Sequence, residues 1–355
     1  MLKFIHCADI HLGSRMEAKL PREKVEQRRT ELRTTFVRMI EYAKDNGVRA
    51  ILLSGDVFDS DRPLKRDKTA FYSLVRENPD IDFLYLRGNH DNKESYVEKE
   101  LPNLKCFDSE WGRYSYGDVD IWGIELCADN ALSLYSTLRT DSERTNIVML
   151  HGTVGDGARD GIIDIRSLRN RGIDYLALGH YHSYREGRID DRGIYAYSGC
   201  LEGRGFDETG EKGFVLLELT EEGVRSTFVP FAHRVIRKFV VDISECGELF
   251  DVRAVLDREL RYDKRDMLRV ELEGEIFFDG DELVEECEEY LYLNCYFVSV
   301  KNKTQTGFDL SEYESELSLR GEFVRTVMSS SEYTDEQKRS IITYGLRALA
   351  GREVE

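Results

Sequence analysis

With 355 residues, 41% hydrophobic and 33% charged, the chain has the make-up of a globular protein of roughly two domains, not of a disordered or fibrous one. Its formal net charge of −18 argues against indiscriminate binding to nucleic acid over the whole surface, though not against a local basic groove. Five prolines and no Gly/Ser tract leave no room for long unstructured linkers. No apolar run approaches the roughly 20 residues of a membrane-spanning helix.

In chain order, apolar runs at 2–8, 48–53, 82–86, 119–124, 147–150, 175–178, 194–197 and 214–219 predict strands of an α/β protein. Several are continuous, as in strands covered on both faces. Between the first two, Leu32, Phe36, Met39, Ile40 and Ala43 recur at helical spacing until Asn46-Gly47 stops the run. A second helix is expected from Asp61, with Pro63 in its first turn and Leu64, Phe71, Leu74 and Val75 on its buried face. After about Phe231 a β-α-β-α-β run follows, with strands at 235–243, 267–272 and 295–300 and helices at 249–260 and 282–293. The acidity of this part reads as a solvated face, because Leu283, Val284, Cys287, Tyr290 and Leu291 form an apolar stripe. A capping box at Thr334-Asp335-Glu336-Gln337 opens a last helix bearing Ile341, Ile342, Leu346 and Leu349. The expected domains are 1–232, 233–305 and a helical tail at 306–355. The run Met1 to His6 reads as a strand without a signal-peptide core. The seven cysteines are scattered, with no Cys-x-x-Cys, which fits reduced thiols in a cytoplasmic protein.

Chemistry is concentrated in five blocks: Asp9-Ile10-His11, Gly55-Asp56-Val57-Phe58-Asp59, Gly88-Asn89-His90-Asp91, His151, and Gly179-His180-Tyr181-His182. They hold five of the seven histidines, each just after a strand-like run. Residues that close the strands of an α/β sheet converge on one rim. Carboxylate plus imidazole, without thiolate, suits Mn²⁺, Fe²⁺ or Zn²⁺. Asp9, His11, Asp56, Asn89, His151, His180 and His182 are too many ligands for one ion. With Asp56 as a bridge, two cations could sit about 3.5–4 Å apart, clamp a phosphate and acidify a shared water. His90 is left for the leaving oxygen, as general acid or electrostatic clamp. Asp59 and Asp91 are candidates to fix its tautomer and orientation.

These blocks resemble the calcineurin-like metallophosphoesterase superfamily and, within it, DNA repair nucleases of the Mre11/SbcD type. Residues Phe4 to Gly13 are close to that family's opening block, Gly55 to Pro63 resemble its second, and Tyr175 to His182 its last. The stretch from Ser198 to Gly213 is similar to a bacterial branch of exonucleases that includes YhaO. The resemblance covers about residues 1–230. It implies a four-layer sandwich of two mixed β-sheets flanked by helices, with a smaller α/β capping domain after it. It implies one metal on Asp9, His11, Asp56 and His182 and another on Asp56, Asn89, His151 and His180. His90 would be catalytic, supported from Asp59, where some members carry His. An ATPase of the Rad50/SbcC kind would bind through the tail after Glu312. The implied activity is DNA hydrolysis with two divalent ions, taken as Mn²⁺; a homodimer is left open, and no membrane is involved.

Other residues carry blander readings. His6, inside the first strand, reads as a hydrogen-bonded core histidine. Arg62, Lys65, Arg66 and Lys68 read equally as contacts to a nucleic-acid backbone or as a solvated helix face. For Arg15, Arg22, Lys24, Arg28 and Arg29 the solvated reading leads. The same metal scaffold would also serve a small-molecule phosphodiesterase, a nucleotidase or a protein phosphatase. A non-catalytic scaffold subunit ranks low, because the ligand set and His90 are complete.

Overall fold

The computed structural model describes residues 1–16, 20–60, 62–91, 101–278, 280, 282–307 and 316–349. Asp61, expected to open the second helix, and Glu312, expected to begin the partner-binding tail, lie outside the described residues. The chain divides into two compact units, Met1–Arg237 and Lys238–Glu355.

The first unit holds two six-stranded mixed sheets. One runs in the order β14 (Gly223–Pro230), β13 (Gly213–Thr220), β1 (Lys3–Cys7), β2 (Ala50–Ser54), β3 (Asp82–Leu86), β4 (Leu104–Cys106). Strands β1 to β4 are parallel, and the β13–β14 hairpin closes one edge antiparallel. The other runs β11 (Arg185–Arg188), β12 (Ile194–Tyr197), β10 (Tyr175–Gly179), β7 (Thr145–His151), β6 (Val119–Gly123), β5 (Gly112–Tyr116). Its four central strands are parallel and both edges antiparallel.

Strand alternation assigns each residue to a layer. In β1, Phe4 packs between the sheets with Ala50, Leu52, Ile147, Met149 and Ala177. Its neighbours Ile5 and Cys7 face helices α1 (Arg22–Asp45) and α2 (Lys65–Arg76) through Phe36, Met39, Phe71 and Val75. Beyond the second sheet, Val148, Leu150, Leu176 and Leu178 pack against the short helix α3 (Leu134–Thr137) and Leu168. Helices, sheet, sheet and helix make the four layers expected. Both faces of the central strands are covered, which is why those strands are apolar throughout.

Two departures have physical causes. Helix α1 starts at Arg22, well before the apolar period at Leu32. Its early turns bury Arg28 and Glu31 instead of hydrophobics. Arg28 donates to Glu31 at 2.5 Å, to Glu202 at 3.1 Å and to the Gly203 carbonyl at 2.7 Å. It is therefore a buried ion-pair member and not a solvated charge. Strand β11 is Arg-Glu-Gly-Arg, an edge strand held by backbone pairing to β12 without one apolar side chain.

In the second unit, strand β15 (Ile236–Asp242), which leads into it, joins β16 (Met267–Glu273) and β18 (Phe297–Asn302) in one sheet. Helices α4 (Leu249–Glu259) and α5 (Leu283–Tyr292) contribute Val252, Leu256, Leu283, Cys287 and Leu291 to its core. The acidic run of α5 keeps Glu285 and Glu289 exposed, as its apolar stripe requires. Two helices follow, Leu319–Ser329 and Asp335–Leu349, packed through Val324, Val327 and Ile342. The first was not expected; the second opens on the predicted cap, with reciprocal bonds between Thr334 and Gln337.

Candidate metal centre

Five strand ends deliver the blocks to one rim: Asp9 and His11 after β1, Asp56 after β2, Asn89 and His90 after β3, His151 closing β7, and His180 after β10. The loops after β1 and β2 continue to pair beyond their strands, with the Asp9 amide on the Gly55 carbonyl at 3.0 Å and the His11 amide on the Asp56 carbonyl at 3.0 Å. Asp9 (φ 51°), His11 (φ 51°), Asp56 (φ 52°) and His180 (φ 111°) all take positive φ. That conformation costs on the order of 1–3 kcal/mol per residue and persists only where the surroundings impose it. Gly179 permits the closest approach. A Cβ there would run into the Ser54 carbonyl of one sheet and the His151 ring of the other.

The side chains converge. Candidate ligand atoms of Asp9, His11 and His182 lie within 4.8 Å of one another, and so do those of Asp9, Asp56 and His151. Nε2 of His11 is 3.2 Å from Nε2 of His182. The Asn89 Oδ1 atom is 2.9 Å from His151 Nε2 and 3.2 Å from His180 Nδ1. Between the two groups, Asp56 Oδ2 lies 3.4 Å from His151 Nε2 and 4.0 Å from His11 Nε2. Asp9 also reaches both, and its carboxylate accepts the His180 amide at 3.0 Å. All seven predicted ligands are thus brought to one place.

The electrostatics are those of a crowded ionic site. Burial alone would raise the pKa of Asp56, but the His151 and His11 rings hold its carboxyl well below the usual range. His151 moves the other way: burial opposes its charge, Asp56 outweighs burial, and the pKa rises to about 9. For His180, burial and then the charge of His151 push the pKa down.

The outer nitrogens of the rings have partners that local sequence did not reveal. His151 Nδ1 faces the Ser54 carbonyl at 2.9 Å. His182 Nδ1 lies 2.7 Å from Glu208 Oε1, and Arg204 donates to that carboxylate through Nε at 3.0 Å and Nη2 at 2.7 Å. The stretch from Ser198 to Gly213 had drawn notice only as a resemblance. Its charged residues in a glycine-rich run were the one available signal.

Asp59 and Asp91 do not direct their carboxylates as expected. Asp59 accepts from Arg204 Nη1 at 2.7 Å and stands 3.2 Å from His11 Nδ1. Burial opposes its ionisation, and His11, Arg204 and, last, His90 overcome this and lower its pKa. Asp91 accepts the backbone amides of Val57, Phe58 and Gly88. Burial and the neighbouring Asp56 charge push its pKa up to about 6. It braces the loops rather than the His90 ring. His90 is exposed, its amide donates to Asp56 Oδ1 at 2.8 Å, and its ring lies 5.1 Å from that of His11.

Beside His90 runs a groove of about 740 Å³ whose lining includes Arg15, Arg29, Arg62 and Arg66. Lys65 is not among the lining residues. His6 is buried between the sheets, bonded to Tyr175 and the Leu178 carbonyl, as a core histidine should be.

The donor set fits divalent cations. Glu208 is acceptor-only when ionised, and its short contact puts the proton of His182 on Nδ1. The Asp59 carboxylate stands 3.2 Å from His11 Nδ1 without forming a hydrogen bond to it. His182 Nε2 faces His11 Nε2 across 3.2 Å, beside Asp9 and Asp56, a set of nitrogen and oxygen donors that suits a divalent cation.

Comparison with known proteins gives a consistent picture. The calcineurin-like phosphoesterase family matches residues 2–184. The chain is 24% identical to the DNA double-strand break repair protein Mre11 of Sulfolobus acidocaldarius, over 96% of this chain and 94% of that protein. It is 31% identical to the uncharacterized metallophosphoesterase YhaO of Bacillus subtilis, over 70% of this chain and 65% of that protein. With the Mre11 protein of Aeropyrum pernix the identity is 26%, over 71% and 66%.

Proposed function

Because the chain belongs to the calcineurin-like phosphoesterase family, we propose that it is a nuclease that hydrolyses DNA phosphodiester bonds in repair, using two divalent ions, with manganese suited to its nitrogen and oxygen donors. The observation that supports this reading is the convergence of Asp9, His11, Asp56, Asn89, His151, His180 and His182, with His90 at their edge. Asp9, His11, Asp56 and His182 would hold one ion, and Asp56, Asn89, His151 and His180 the other. When bound, such ions neutralise charge on a phosphodiester and lower the pKa of the attacking water.

The chain's own residues do the rest. His90 protonates the departing 3′-oxygen. Its backbone amide keeps Asp56 turned toward the ligand rings. Arg15, Arg29, Arg62 and Arg66 meet the phosphates of a strand lying along the groove, which favours a polymeric anion over a small substrate. The repair role rests on the similarity to Mre11 proteins. On that basis we also assign residues 233–305 as a capping domain and the tail at 306–355 as the binding segment for a Rad50/SbcC-like ATPase.

End-labelled single-stranded and duplex DNA, incubated with Mn²⁺, Mg²⁺ or chelator beside a cyclic nucleotide and a phosphopeptide, tests the proposal. Metal-dependent shortening of DNA is expected. Hydrolysis of the small substrates alone would overturn the DNA assignment and leave the phosphoesterase.

A further inference from the structure

We infer that Arg204 is a positioning residue that makes the two ion sites unequal, so that the site of Asp9, His11 and His182 fills before the site of Asn89, His151 and His180. The inference rests on the two-ion reading above.

Arg204 is 7% exposed and serves two carboxylates with one planar cation. Nη1 donates to Asp59 at 2.7 Å, while Nε and Nη2 donate to Glu208 at 3.0 and 2.7 Å. The Arg204 amide adds a bond to the second Glu208 oxygen at 2.6 Å, so that carboxylate cannot turn away. Each carboxylate stands at the outer nitrogen of one ring: Asp59 is 3.2 Å from His11 and Glu208 is 2.7 Å from His182. One guanidinium therefore fixes the carboxylate that orients His182 and a second carboxylate that stands beside His11. The backbone of His182 is held from the same segment, with its carbonyl accepting from Lys212 Nζ at 2.7 Å.

Among the described residues, the second site has no carboxylate at the outer nitrogen of His151. The outer nitrogen of His151 meets a neutral carbonyl at 2.9 Å. Asn89 carries no charge, and the His180 ring it faces is half-buried. One physical difference separates the two sites, the Glu208 carboxylate behind His182 against the neutral carbonyl behind His151. A carboxylate behind an imidazole fixes its tautomer and raises its basicity, and removing such a partner costs about 10–100-fold in metal affinity. Turnover then follows occupancy of the second, weaker site, which sets the metal concentration the protein needs.

Calorimetric titration of the chelator-stripped full chain with Mn²⁺ alone tests this, without reference to activity. The wild type should bind in two phases. Glu208→Gln and Arg204→Lys should weaken the tighter phase by about 10–100-fold and leave the weaker one in place. His180→Asn should remove the weaker phase only. Melting of the metal-free variants checks that they fold; if Arg204→Lys does not, the near-isosteric Glu208→Gln decides alone. Equal affinity for both ions in the wild type, or an unchanged tighter phase in Glu208→Gln, would overturn the inference. Failure of the wild type to bind Mn²⁺ at all would remove the two-ion reading as well.

Discussion

His11 and His182 are separated by 171 positions, yet their Nε2 atoms face each other at 3.2 Å. They stay there because each is fastened from behind, His182 by Glu208 and His11 within its strained loop beside Asp59. The fold thus holds both nitrogens beside Asp9, where a cation would be bound.

His90 is the group assigned to the leaving oxygen, and its ring belongs to neither ligand group. Replacing His90 by Asn should lower kcat about 10²–10⁴-fold, the usual range for a lost general acid. Bound metal, measured by elemental analysis, should stay at the wild-type level. Normal turnover in this variant would remove His90 from the mechanism.

Gly179 lies where the two sheets come closest at the site. Gly179→Ala should displace Ser54 or His151, at a cost of about 1–3 kcal/mol. Metal binding should weaken with it. Urea unfolding together with Mn²⁺ titration would check both, and a variant that retains wild-type affinity would contradict the crowding argument.

Stability should fall in mild acid because of His6. Burial depresses its pKa from 6.5 to about 3, with the Leu178 carbonyl opposing weakly. Between those values the unfolded chain takes up a proton that the folded chain refuses. His6 therefore supports the fold fully above pH 6.5, and the support is lost as pH falls through that window. The full loss is on the order of 5 kcal/mol. His6→Gln keeps a donor and an acceptor without titrating, so its stability should decline less steeply, by about one proton, between neutral pH and pH ~4.5. Identical slopes in urea unfolding at several pH values would refute this.

Arg28 ties α1 to the loop at Glu202 and Gly203. Arg28→Met leaves the buried Glu202 carboxylate without this partner and should cost about 3–5 kcal/mol. The double variant Arg28→Met/Glu202→Gln should recover part of the loss. A single variant as stable as wild type by chemical denaturation would mean the network carries no net energy.

The convergence of the candidate ligands was legible because histidine is scarce and each candidate sits in a short block behind an apolar strand. Strand register then carries the block to the rim, so local sequence is enough. The outer partners were not legible. Arg204 and Glu208 look like turn residues until the chain folds back and brings them against residues 59 and 182. Asp91 is the sequence neighbour of His90 and Asp59 closes the second block, but direction matters more than motif, and their carboxylates turn to backbone amides and to Arg204. In the fold, the early turns of α1 and all of β11 were hidden for a common reason. Ion pairs and backbone pairing hold them, and neither leaves an apolar period to read.

The most direct test of the account is an anomalous difference map from a crystal soaked in Mn²⁺. Two peaks about 3.5–4 Å apart are predicted, one among Asp9, His11 and His182 and one among Asn89, His151 and His180, with Asp56 between them. A map without density among these side chains would contradict the account at its root.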